Sequence, residues 1–107
     1  MRQKNDMSIV CQQTINVNTP SIMSSATALA SNPARTGWFI QNLGTNALFV
    51  RMGGTASTSV FHTVLKAGTG NDDGSGGSVG QEQGVVFTGI ITIDGTSPRY
   101  VAIEFAA

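Results

Sequence analysis

The chain has 107 residues, six basic and six acidic, so its formal net charge is zero, and only 11% of its residues are charged, against about 25% in an ordinary soluble domain. That length excludes a second sizeable core, and that charge balance excludes a broad electrostatic hold on nucleic acid or a polybasic membrane-surface protein. A weakly charged surface also keeps a lone subunit poorly in solution, which points to a protein packed against copies of itself or against a partner.

Residues Met1 to Ser8 are polar, carry Arg2, Lys4 and Asp6, and read as an N-terminal arm. From Ile9 onward the apolar pattern has period two and nowhere a sustained period of 3.6, which predicts strands rather than helices. The first run places Ile9, Cys11, Gln13, Ile15 and Val17 on one face and stops at Asn18-Thr19-Pro20. Cys11, the single cysteine, has no partner for an internal disulfide and reads as a small buried hydrophobe. A weaker run, Ala26 to Ala30, leads to the turn signature Ser31-Asn32-Pro33. Trp38 to Asn42 and Ala47 to Met52 follow, and the Leu43-Gly44-Thr45-Asn46 link between them predicts a hairpin. Because strand side chains alternate, one of Trp38 and Phe39 must face away from the other.

Beyond Gly53-Gly54 a strand is predicted over Val60 to Leu65, with His62 on the face shared by Val60 and Val64. Lys66 to Gly84 then holds seven of the thirteen glycines and almost no apolar side chain. Within it, 68–84 reads as one long glycine-rich loop, of a length that is uncommon in compact domains except where it is disordered or makes contacts. Val85 to Phe87, Ile90 to Ile93 and Arg99 to Phe105 complete the pattern, the last with Val101, Ile103 and Phe105 on one face. The whole is expected to be all-β: an arm over 1–8 and one domain over 9–107, a single antiparallel β-sandwich or jelly-roll-like barrel of about eight short strands.

Chemistry-bearing motifs are sparse. Gly76-Gly77-Ser78-Val79-Gly80 matches the G-x-S-x-G of hydrolase nucleophile elbows. It lies in a glycine-serine stretch without a following helix, and the one histidine, His62, precedes it, so chance explains the match better than a nucleophile. Asp72-Asp73-Gly74 reads as an acidic turn and lacks the ligand spacing of a calcium loop. The cations Arg35, Arg51, Lys66 and Arg99 are scattered and read as solvated positions. No catalytic residue, cofactor or metal is expected.

The stretch Asn32-Pro33-Ala34-Arg35, Trp38-Phe39-Ile40-Gln41-Asn42, Gly44-Thr45-Asn46-Ala47-Leu48-Phe49-Val50 resembles a pattern found in small virion proteins of tailed bacteriophages. The similarity continues through Gly53-Gly54, Lys66-Ala67-Gly68 and Phe87-Thr88-Gly89-Ile90, and spans roughly residues 26 to 105. The resemblance implies a β-sandwich built into the virion, and capsid decoration (cement) is the role expected. A fibre, tail or receptor-binding module is the alternative. The expected partners are the major capsid protein or other virion subunits and further copies of the chain, a trimer being the first guess; neither nucleic acid nor membrane is expected. The expected location is the capsid surface after assembly in the host cytoplasm. Candidate subunit-interface residues are Met1, Arg2, Lys4 and Met7 in the arm, Trp38 and Phe39, and Asp72 and Asp73.

Overall fold

Strands form where apolar residues alternate and end where glycine, asparagine or proline interrupts them. In the computed structural model, which describes residues 16–17, 25–82 and 84–106, this rule yields β1 (Asn16–Val17), β2 (Ser25–Leu29), β3 (Arg35–Asn42) and β4 (Leu48–Met52), followed by β5 (Thr63–Leu65), β6 (Ser78–Gln81), β7 (Ile91–Asp94) and β8 (Tyr100–Ala106). Seven of these have three residues or more, β1 has two, and no helix occurs among the described residues. All pairings are antiparallel. One sheet has the order β1-β8-β3-β6 and the other β2-β7-β4-β5. The expected all-β sandwich is what the chain forms.

Between the sheets lies a core supplied by alternate residues. Trp38 and Ile40 of β3 and Tyr100 and Ala102 of β8 meet Leu48 and Val50 of β4, Leu65 of β5 and Ile91 and Ile93 of β7. From β2 come both Ala28 and Leu29, adjacent residues that simple alternation would send to opposite faces. A register shift between Thr27 and Leu29 inserts a bulge and turns both inward.

Several segments depart from the sequence expectation. Trp38–Asn42 and Ala47–Met52 are not a hairpin: β3 lies in one sheet and β4 in the other, so the link crosses the sandwich. Val60 to Leu65 is a strand only from Thr63, because Ser57 and Val60 exchange backbone hydrogen bonds and close a turn there. Val85 to Phe87 is not a strand; Phe87 donates its N–H to the Gln81 side chain instead of to a ladder. The 68–84 stretch is not one loop, since Ser78–Gln81 forms the outer strand of a sheet and Val79 packs on the core. On β8, Val101, Ile103 and Phe105 do share a face, but it is the face turned away from the core.

The arm over 1–8, with Met1, Arg2, Lys4 and Met7, and the run from Ile9 to Ile15 with Cys11 lie outside the described residues.

Candidate interaction surface

Arg35, read from the sequence as a solvated cation, is a buried hub. The turn before it is closed by Asn32, whose side-chain Oδ1 accepts from the Ala34 N–H at 3.1 Å and whose carbonyl accepts from the Arg35 N–H at 3.0 Å. Pro33 presets the backbone angle that such a turn requires. The guanidinium then enters the protein with no exposed side-chain surface. Its Nε donates to Glu104 at 2.8 Å, Nη1 to the carbonyls of Phe87 and Gly89, and Nη2 to the carbonyl of Ala30. One side chain thereby joins the end of β2, the start of β3, the 87–89 segment and β8.

Of the two adjacent aromatic residues, Trp38 is the inward one. It is 3% exposed and its indole N–H donates to Gln81 Oε1 at 2.8 Å. That oxygen also accepts the Phe87 N–H at 2.8 Å, which holds the chain beyond β6 against the sheet. Trp38 therefore belongs to the core and cannot lead a contact. Phe39 is 37% exposed on the outward face. Opposite it are Ile103 on β8 and Gly80 on β6, with Gly37 facing Phe105 one step away. Phe39, Gly80, Glu82, Ile103 and Phe105 line an open cleft of about 450 Å³ on that face. A Cβ at Gly80 would lie 2.5 Å from the Trp38 carbonyl oxygen and 3.2 Å from the Phe39 ring, so only glycine fits beneath that ring.

The outward side of the other sheet is apolar as well. The rings of Phe49 and Phe61 meet edge-on with centroids 5.0 Å apart. Phe61 itself is 40% exposed, and Val60 and Val64 are each 47% exposed. Both sheets therefore carry aromatic and branched aliphatic side chains on faces that an isolated sandwich ordinarily fills with polar residues.

The acidic turn is committed to the chain's own contacts. Asp72 pairs with Arg99 through two hydrogen bonds, one of 2.7 Å from Nε, and its backbone N–H donates to the Leu43 carbonyl. Asp73 accepts from the Ser75 N–H and hydroxyl and from the Thr69 hydroxyl. The hydrogen bond from Arg99 holds the Asp72 carboxyl below its ordinary value of 3.8, and the Ser75 hydroxyl does the same for Asp73. A carboxyl depressed in the folded state stabilises above its unfolded value, and that contribution disappears as pH falls through the lower, folded value. The turn should therefore stay closed as pH falls to 3.8 and open only in more acid solution. A pH titration of the Thr69 and Ser75 amide resonances checks this, and Asp73→Asn should shift both resonances already at neutral pH.

His62 is a structural acceptor. Its Nδ1 accepts the Met52 N–H at 3.0 Å, and its backbone N–H donates to the Val50 carbonyl, which fastens it to β4. Ser78 belongs to β6, in the sheet opposite β4, the strand to which His62 is bonded. Among the described residues no group of three or more His, Cys, Asp or Glu side chains could hold a metal ion. No helix among them is long and apolar enough to cross a membrane.

Of the sequence candidates, then, Phe39 stands on an exposed apolar face, Asp72 and Asp73 serve the chain's own loop, and Trp38 is core. Sequence reasoning missed Ile103 and Phe105 as surface residues and the Phe49, Phe61, Val60 and Val64 patch. The available signal was Phe39 itself, because antiparallel pairing obliges its neighbours on β8 to face the same way. The chain matches no protein-family model, and comparison with curated proteins and with solved structures finds no match.

Proposed function

We propose that this chain is a structural virion protein, a decoration protein that binds the capsid surface of a tailed bacteriophage through contacts with the major capsid protein and with its own copies. The observation that carries the reading is the apolar outward face on both sheets, Phe39, Ile103 and Phe105 on one and Phe49, Phe61, Val60 and Val64 on the other. A domain with 11% charged residues and two such faces gains by packing between other subunits, because each square ångström of apolar surface removed there contributes about 25 cal/mol. The resemblance in the 26 to 105 region supplies the virion as the assembly. The reading assigns the chain no catalysis.

Copy number on purified particles tests it. Quantitative mass spectrometry should find the chain in stoichiometry with the major capsid protein. A few copies per particle would point instead to a fibre or tail component, and absence from particles would overturn the proposal. Val60→Asp alters a side chain that is 47% exposed and lies outside every strand. It should leave the unfolding free energy unchanged within about 0.5 kcal/mol and reduce occupancy on the particle.

A further inference from the structure

A sheet edge exposes backbone hydrogen-bonding groups, and proteins usually protect it by shortness, a charge, a proline or a bulge. Among the described residues, β2 carries the bulge between Thr27 and Leu29, and β5 has only three residues. The edge strand β6 has four, Ser78-Val79-Gly80-Gln81, with no charge, proline or bulge inside it, and Glu82 follows it directly.

Which groups β6 presents follows from the register. The Asn42 N–H donates to the Gly77 carbonyl at 2.9 Å, and the pairs continue as Gln41 with Ser78, Ile40 with Val79, Phe39 with Gly80 and Trp38 with Gln81. Antiparallel pairs alternate between those that exchange hydrogen bonds and those that do not. Residues 40 and 38 therefore bond to Val79 and Gln81, while Ser78 and Gly80 turn their N–H and C=O groups away from β3. The other side of β3 agrees: the Leu43 N–H bonds to the Arg99 carbonyl, which assigns the odd-numbered residues of β3 to β8. Ser78 and Gly80 are both exposed.

These two residues form a self-complementary pair of rungs. We infer that β6 pairs antiparallel with β6 of a second copy about a two-fold axis through Val79, Ser78 of each copy bonding to Gly80 of the other and joining the two sheets into one. The arrangement sets no like charges opposite each other, since Ser78 faces Gly80, Val79 faces its own copy and Gln81 faces Gly77. Glycine at 80 leaves the second backbone free to approach. It also extends the outward face that carries Phe39, Ile103 and Phe105 across both copies. Pairing through one edge closes with two subunits, so this contact gives a dimer rather than a trimer. This inference deepens the assembly reading by naming a second copy as a partner, but it is tested separately from it.

Sedimentation equilibrium of the full chain over a concentration series from micromolar upward should show a monomer–dimer equilibrium. In the dimer the Ser78 and Gly80 amides should exchange with solvent more slowly as concentration rises, while Val79, already bonded within the subunit, should not change. Ser78→Pro removes an N–H that points away from β3, so it should keep the circular dichroism spectrum and urea midpoint and raise the dimer dissociation constant about tenfold or more. Ser78→Lys, which adds a like charge from each copy near the axis, should do the same and serves if the proline variant misfolds. A chain that stays monomeric throughout, or a dimer whose affinity neither variant changes, overturns the inference. A monomer found in stoichiometric number on particles would leave the decoration role standing and remove this one. A dimer absent from particles would do the reverse.

Discussion

Replacing Arg35 with methionine should lower the unfolding free energy by about 3–5 kcal/mol, the usual cost of removing one member of a buried ion pair. A chain of this length has about 5–15 kcal/mol in total, so the variant should be largely unfolded in mild urea and melt more than about 10 °C below the parent. Two losses add. Glu104, 14% exposed at its side chain, keeps only the weaker 3.3 Å bond from Asn32 among the contacts described. The part-buried carbonyls of Ala30, Phe87 and Gly89 lose a charged donor as well. Glu104→Gln should cost less, about 1–2 kcal/mol, because the three carbonyls still hold the guanidinium. The double variant Arg35→Met/Glu104→Leu should remain well short of the parent, since it cures the stranded charge but not the stranded carbonyls. Urea denaturation of the three proteins checks the order, and an Arg35→Met protein within 1 kcal/mol of the parent would show that the hub contributes little.

The second large effect is expected at Asn42. Its side chain is 1% exposed and lies where the chain crosses twice between the sheets. Nδ2 donates to the carbonyls of Asn46, Leu65 and Lys66, and Oδ1 accepts the Gly44 N–H at 2.9 Å. One amide thus fastens the 43–47 crossing to the end of β5. Over it passes Gly76, where an added Cβ would lie 2.1 Å from the Asn42 carbonyl oxygen. Asn42→Leu keeps the branching at Cγ and removes every one of these bonds, so it should cost about 3 kcal/mol or more. Amide exchange at Gly44 should accelerate with it. If Asn42→Leu is as stable as the parent, the crossing is held by packing and not by this side chain.

The same residues show how far the fold was legible. Period-two alternation gave the strands around Trp38, Leu48 and Tyr100 because each turns one face to the core, and the apolar Ile91 and Ile93 marked the strand around Ile91 although it is buried on both faces. Alternation could not assign them to sheets, which depends on partners distant in sequence. The hairpin expectation at Leu43–Asn46 failed for that reason: a glycine-asparagine link looks alike whether it turns within a sheet or crosses between two, and here Asn42 bonds make it cross. Arg35 looked like any dispersed cation, because nothing in its neighbours announces the distant Glu104, Phe87 and Gly89. The glycines of 68–84 read as one long loop, whereas Gly76 lets the chain pass over its own Asn42 on the way into β6. As for the surface, the outward ring at Trp38-Phe39 was foreseeable from alternation, but which of the two it was depended on the register with β8.

The position of β8 has a kinetic consequence. It lies between β1 and β3 and follows both in the chain, so neither can complete its ladder until β8 has been made and has found its place. β2 likewise waits for β7, and among the described strands only β4 and β5 pair with a neighbour in sequence. Nearly every pairing must therefore close a long loop before any hydrogen bond offsets that entropy, the circumstance in which domains fold over milliseconds to seconds rather than microseconds. During that interval the outward Phe39 and Phe61 faces and the unpaired β3 would be exposed together. Refolding from urea should be slow, and its yield should fall as the protein concentration rises.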